Sequence, residues 1–159
     1  MVRVFLSLFL IFLLINISFA KGIKAKDFSL PDENGKIVKL SELKGNVVVL
    51  IFWSTKCGSC KKKLPKISVL QGEYDNKPVK FYAVVINTKD LEEIKKIKEE
   101  WGFDIPVLIG NFDIKKNYRI IGTPITYVIN KDGKIKRFFL GEVSLKRLKK
   151  AINKALKDN

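Results

Sequence analysis

Residues 47–52 read Val-Val-Val-Leu-Ile-Phe, and this uninterrupted apolar run constrains the fold more than any other part of the chain. A strand with one solvated face alternates apolar and polar residues, whereas a strand buried on both faces does not. The run therefore predicts a strand over residues 46–53 that lies inside a sheet covered on both sides.

The other periodic segments predict a mixed α/β architecture. Further strands are expected at residues 80–86, 107–109, 125–129 and 136–140, the last two joined by a turn at Asp132-Gly133. Three helices are expected. The first covers residues 57–74 and is interrupted in register by Pro65, the second runs from an N-cap at Thr88 to Trp101, and the third runs from an N-cap at Ser144 to Leu156. Helical turns are expected at residues 41–43 and 113–118. Residues 27–30 and 37–40 predict a short N-terminal hairpin at the edge of a sheet. Together these segments predict an α/β sandwich in which helices cover both faces of a mixed sheet.

The first twenty residues have the composition of a secretory signal peptide. Arg3 supplies a positive charge, residues 4–15 contain one polar residue, and small residues precede a cleavage site after Ala20. The alternative is a membrane anchor retained at residues 4–20, but the apolar run is shorter than the roughly 20 residues that a spanning helix needs. We therefore expect one domain at residues 21–159, exported to the periplasm or another extracytoplasmic, oxidising part of the envelope.

Histidine is absent from the 159 residues, and cysteine occurs twice. These counts exclude Ser-His and Cys-His nucleophile pairs and histidine-ligated haem, and two cysteines alone do not complete a structural zinc site. We expect no metal and no cofactor, so the chemistry must use cysteine, lysine, carboxylate, tyrosine or backbone groups.

Basic residues dominate the charge, with 31 Lys and Arg against 16 Asp and Glu. On the last predicted helix the lysines lie off the apolar stripe, which indicates a solvated face. Export and the absence of interleaved aromatic and basic residues argue against nucleic acid as a partner. We expect a monomer with at most weak attraction to a membrane surface.

The two cysteines form the motif Cys57-Gly58-Ser59-Cys60, directly after the buried strand and at the start of a helix. Unpaired N–H groups and the helix dipole favour an anion there, which predicts a lowered pKa for the Cys57 thiol. Cys60, one turn further on, should be shielded and react second, and cysteines three apart on a helix can form a disulfide. A structural disulfide and half of a zinc site shared by two chains are the alternatives.

Residues 49–60, Val-Leu-Ile-Phe-Trp-Ser-Thr-Lys-Cys-Gly-Ser-Cys, followed by Pro65, resemble the active-site strand and helix of the thioredoxin superfamily. Residues 27–31 and 41–45 make the chain similar to its exported TlpA/ResA branch, and residues 122–130 with 132–135 resemble that branch's proline loop and terminal hairpin. The resemblance implies a thioredoxin-like three-layer sandwich. It also implies that Cys57 attacks a substrate disulfide, that Cys60 resolves the mixed disulfide, and that a cis Pro124 places the Thr123 backbone to pair with substrate.

Three positions depart from the family pattern. Ile51 stands where many thioredoxins have a buried acid, Lys63 where several envelope members have Glu, and Lys56 where Trp commonly precedes the first cysteine. We expect Lys56 and Lys63 to tune the pair by favouring the thiolate, giving a less reducing couple than a Glu-bearing relative. Trp53, beside the site, is expected either to bind substrate or to belong to the core.

The resemblance thus implies an exported thiol-disulfide oxidoreductase that reduces disulfides of other exported proteins, including apocytochrome c during cytochrome c maturation, with a membrane thiol reductant as electron donor. The alternatives are a disulfide-donating oxidase, a thiol peroxidase of peroxiredoxin type, or a binding module with a structural disulfide. The peroxidase alternative requires Thr three residues before its reactive cysteine, where this chain has Ser54.

Overall fold

A computed structural model describes residues 22–158, so the predicted signal peptide at residues 1–20 lies outside the described part. The elements of this part are β1 (Ser29–Pro31), β2 (Ile37–Lys39), a 3-10 turn (Leu40–Leu43), β3 (Val47–Trp53), α1 (Gly58–Gly72), β4 (Val79–Val85), α2 (Leu91–Trp101), β5 (Val107–Ile109), α3 (Phe112–Asn117), β6 (Ile125–Ile129), β7 (Ile135–Leu140) and α4 (Leu145–Lys157). Across residues 22–158, no helix has the length and apolar character needed to cross a membrane.

The central sheet is mixed, with strand order β5-β4-β3-β6-β7. Strands β3, β4 and β5 run parallel, whereas β6 is antiparallel to β3 and β7 is antiparallel to β6. The predicted order of parallel strands followed by a terminal hairpin is therefore confirmed.

Strand β3 is the centre of the sheet, and all seven of its residues are buried. Val49, Ile51 and Trp53 face the layer formed by α1, α2 and α4. Leu50 and Phe52 face the opposite layer, which contains α3 and the N-terminal hairpin. The apolar run at residues 47–52 is continuous because each face of the strand meets its own core, and the predicted three-layer sandwich is confirmed.

The N-terminal hairpin forms a separate two-stranded sheet and does not extend the central one. It is held near the edge strand β5 by one bridge between Asp32 and Leu108 and by a hydrogen bond from the Glu33 N–H to the Val107 carbonyl at 3.0 Å. The expectation of a hairpin is confirmed, and its place is beside the edge of the main sheet.

Helix α4 begins as expected, because the Ser144 hydroxyl accepts from the Arg147 N–H at 3.3 Å. Helix α2 ends at Trp101 as expected, but the predicted N-cap at Thr88 was wrong, since the N-cap is Asp90, which accepts from the N–H groups of Glu92 and Glu93. A carboxylate serves two N–H groups there and also interacts favourably with the helix dipole. The Thr88 hydroxyl instead accepts from the Asp90 N–H in the preceding turn.

Candidate active site

One end of the central sheet brings the predicted site residues together. The parallel strands β3, β4 and β5 end there, and the antiparallel strand β6 begins there, with Phe52 opposite Ile125. The loop that follows β3 carries Cys57, and the loop that precedes β6 carries Pro124. Two segments more than sixty residues apart in sequence therefore meet at the same sheet end.

Cys57 and Cys60 form a disulfide with Cα atoms 5.2 Å apart. Cys57 is the N-cap of α1, and its sulfur accepts from the Cys60 N–H at 3.2 Å and lies 3.5 Å from the Ser59 hydroxyl. Cys57 is partly exposed, whereas Cys60 is fully buried. A reaction partner can therefore reach the first sulfur more readily than the second.

The Thr123-Pro124 peptide bond is cis, as the resemblance implies. Pro124 is buried, and its carbonyl accepts from the Gly141 N–H at 2.9 Å, which fixes the loop to the end of β7. Thr123 is half-buried, and its backbone N–H and carbonyl form no hydrogen bond with another described residue. An extended peptide could use these groups.

Trp53 belongs to the core, so its expected role in substrate binding is not supported. Its side chain is 0% exposed and packs edge-on against Trp101 and Phe103, with ring centroids 5.5 Å away in both cases. Its indole N–H has no hydrogen-bond acceptor among residues 22–158. Because the side chain points into the layer under α1 and α2, a bound peptide would not touch it.

The lysines close to the cysteines in sequence do not contribute equally to the positive charge around the disulfide. Lys56 and Lys62 are exposed and Lys63 is half-buried. Lys61 instead forms an ion pair with Glu100 at 2.7 Å, and its hydrogen bond holds the pKa of that carboxyl below the ordinary value. One of the positive charges near the cysteines is thus offset by a carboxylate from α2.

The position at which many thioredoxins have a buried acid holds an apolar, buried side chain in this structure. Ile51 is 1% exposed and lies between Ala83 on β4 and Thr126 on β6. A carboxylate at this place would be desolvated, and neither of these two strand neighbours carries a charge that could pair with it. Proton transfer at Cys60 must therefore use another group or water.

Sequence reasoning missed a polar cluster that holds the loop before Cys57. Thr55, Asn87 and Glu93 are joined by three hydrogen bonds of 2.9 to 3.0 Å. Thr55 is separated from Asn87 by 32 residues and from Glu93 by 38. No local spacing connects such residues, so only the fold reveals the cluster.

Sequence reasoning also missed two exposed apolar side chains in segments that lead from this end of the sheet. Ile121, two residues before Thr123, is 87% exposed, and Phe112, at the start of α3, is 73% exposed. Ile121 lies beside the proline loop in sequence, where an exposed apolar side chain suits contact with a protein segment.

The chain is similar to known thiol-disulfide oxidoreductases. The AhpC/TSA family matches residues 22–138. The thiol-disulfide oxidoreductase ResA of Bacillus thuringiensis is 32% identical over 139 residues, covering 84% of this chain and 77% of the relative.

Two solved structures extend the likeness to the whole described fold. One is a candidate thiol:disulfide interchange protein DsbE from Chlorobium tepidum, with a TM-score of 0.76, 29% identity, and coverage of 86% of this chain and 97% of that one. The other is the thioredoxin domain of a thiol-disulfide oxidoreductase from Bacteroides vulgatus, with a TM-score of 0.71, 25% identity, and coverage of 87% and 96%. The thioredoxin-superfamily resemblance drawn from residues 49–60 and 122–135 is confirmed.

Proposed function

The chain belongs to the AhpC/TSA family and is a TlpA/ResA-like thiol-disulfide oxidoreductase of thioredoxin fold, and we propose that it reduces disulfides of other exported proteins. The observation that carries the activity is the Cys57–Cys60 disulfide at the N-terminus of α1, with one sulfur accessible and one buried. Its substrates are proteins that carry disulfides.

In the proposed mechanism the reduced protein enters with two thiols. The Cys57 thiolate attacks one sulfur of the substrate disulfide, forms a mixed disulfide and releases the other substrate sulfur as a thiolate. Cys60 then attacks the Cys57 sulfur, which closes the Cys57–Cys60 disulfide and releases the second substrate thiol. Two electrons have moved from the protein to the substrate. The difference in exposure between the two cysteines supports this order.

Thr123 and Pro124 are proposed to hold the substrate during this exchange. The unpaired backbone groups of Thr123 can form hydrogen bonds with an extended segment beside the substrate cysteine, as in strand addition to a sheet edge. The hydrogen bond from the Gly141 N–H to the Pro124 carbonyl holds this loop against the end of β7. In-line attack on a sulfur needs such orientation.

The proposed location is extracytoplasmic, which the composition of residues 1–20 and the similarity to ResA support. A membrane thiol reductant would return electrons to the oxidised pair. Cytochrome c maturation is one process in which the reduced cysteines of an exported apoprotein would be needed.

The test is a measurement of the reduction potential of the Cys57–Cys60 pair together with turnover on insulin. A reductase should have a potential well below the roughly −180 mV of protein disulfide isomerase and should reduce insulin disulfides with dithiothreitol as donor. A potential near about −120 mV would make the protein a disulfide donor instead. Rapid consumption of hydrogen peroxide without insulin reduction would favour the peroxidase alternative.

A further inference from the structure

The segment that presents Cys57 is fixed by side chains from two other elements. The Thr55 N–H donates to the Asn87 side-chain oxygen at 3.0 Å, and the Asn87 amide donates to the Thr55 hydroxyl at 2.9 Å. That hydroxyl in turn donates to the Glu93 carboxylate at 2.9 Å. Thr55 therefore uses its N–H, its hydroxyl proton and a hydroxyl lone pair within one closed cluster.

The two partners of Thr55 have well-fixed positions. Asn87 follows β4, whose end is tied to β3 by the hydrogen bond from the Ile86 N–H to the Trp53 carbonyl at 3.1 Å. Glu93 lies in the first turn of α2, where its N–H donates to the Asp90 carboxylate at 3.2 Å. The sheet and α2 thus both anchor the residue two positions before the nucleophile.

Thr55 and Cys57 lie in the same hydrogen-bonded turn. The Lys56 N–H donates to the Ser54 hydroxyl at 3.2 Å and the Cys57 N–H donates to the Ser54 carbonyl at 3.0 Å. These bonds form a tight turn, so a shift at Thr55 moves Cys57 relative to the proline loop. A displacement of about 1 Å can cost on the order of 100-fold in rate when reacting groups must be aligned.

We propose that Glu93 is a positioning residue, which acts through Thr55 and Asn87 to hold Cys57 in line with a disulfide docked on Thr123. The inference rests on the proposed exchange function. It does not require Glu93 to touch substrate or to transfer a proton. Its role is to accept the Thr55 hydroxyl proton, and a neutral side chain with the same acceptor geometry should serve.

The experiment compares two rates in the full chain. Alkylation of reduced Cys57 by iodoacetamide requires no docking, whereas insulin reduction requires a large substrate to align with the sulfur. We expect Glu93→Ala and Thr55→Val to lower kcat/KM for insulin by about 10-fold and to leave the alkylation rate within about twofold of the unaltered protein. Glu93→Gln and Thr55→Ser keep the hydrogen bond and should stay close to the unaltered protein in both assays.

The matched control is Glu92→Ala, because Glu92 is an exposed neighbour on the same helix turn and makes no side-chain bond to this loop. The double variant Glu93→Ala/Thr55→Val should be no slower than Thr55→Val alone, since Thr55→Val already removes the bond to Glu93 together with the bond from Asn87 to the hydroxyl. Thermal melting of each variant separates loss of folded protein from loss of alignment.

The possible failures are distinguishable. If the unaltered protein does not reduce insulin, the proposed function fails. If it does and Glu93→Ala matches it, the positioning role is overturned. Equal losses in alkylation and insulin reduction would also overturn it, because the cluster would then act on the thiol itself and not on alignment.

Discussion

The backbone N–H of Cys60 donates to the sulfur of Cys57 at 3.2 Å. This bond makes the first cysteine the N-cap of α1, so its sulfur occupies the place where a helix favours negative charge. When the disulfide opens, the same N–H can stabilise the Cys57 thiolate. The helix start therefore supplies both the geometry for a disulfide and the environment for a nucleophile.

Replacement of Cys57 and replacement of Cys60 should have different effects on the exchange reaction. Cys57→Ser should abolish insulin reduction, because the buried Cys60 cannot reach a docked disulfide. Cys60→Ser should instead accumulate a mixed disulfide between Cys57 and the substrate, because the resolving thiol is absent. Mass spectrometry under non-reducing conditions measures this adduct. Accumulation of the adduct in Cys57→Ser and not in Cys60→Ser would reverse the assigned roles.

The sequence was sufficient to predict the elements whose signals are local. The apolar run at residues 47–52 predicted the central strand because both of its faces are buried, and Ser144 predicted the start of α4 because capping depends on neighbouring N–H groups. The cysteine pair was equally readable, since its spacing and its place after a strand are sequence properties.

Features that depend on packing between distant segments were not predictable. The sequence leaves Trp53 either beside the substrate or in the core, and only the structure shows that its side chain is buried in the core on the α1 side of β3. The Glu100 partner of Lys61 and the Glu93 partner of Thr55 come from α2, at sequence separations of 39 and 38 residues. The N-cap of α2 is Asp90 and not Thr88, because the Asp90 carboxylate reaches two N–H groups of the first turn.

Removing positive charge near Cys57 should make the pair more reducing. Lys56→Gln and Lys63→Gln should each lower the reduction potential and slow alkylation of Cys57 at pH 7, because the lysines favour the thiolate. The change should be under about fivefold in rate, since Lys56 is exposed and charges there interact in high dielectric. Lys150→Gln, on the exposed face of α4, is the control. The difference in alkylation rate between each variant and the unaltered protein should shrink in about 0.5 M salt. If the variants and the unaltered protein are alkylated at the same rate at low salt, the result counts against tuning by these lysines.

Tyr118 should make the protein lose stability at high pH. Burial, with a smaller effect from Asp27, raises the pKa of this phenol above its ordinary value of 10.0. The phenol of the unfolded chain ionises first, so stability from Tyr118 is complete below about pH 10 and is lost as the pH rises further. Tyr118→Phe loses the hydrogen bond to the Lys26 carbonyl, about 1 kcal/mol at neutral pH. In urea unfolding, the difference in free energy of unfolding between the unaltered protein and Tyr118→Phe should be smaller at pH 11 than at pH 8. An equal difference at the two pH values would contradict the raised pKa of Tyr118.

Gly110 should be intolerant of any side chain, for a reason that lies in the backbone of β4. A Cβ atom at this position would lie 2.5 Å from the Val85 carbonyl oxygen and 3.3 Å from a methyl carbon of Val84. The same carbonyl accepts from the Gly110 N–H at 2.9 Å, so relief of the clash requires that bond to lengthen or β5 to move away from β4. Gly110→Ala should therefore lower the free energy of unfolding by about 1–3 kcal/mol, measured by urea titration. Gly72→Ala is the matched control, because its Cβ position at the end of α1 has no described atom within 4 Å apart from its chain neighbours and its own helix backbone. It should be neutral or stabilising by up to about 1 kcal/mol. Equal effects of the two substitutions would show that the close approach of Gly110 to Val85 does not limit this end of the sheet.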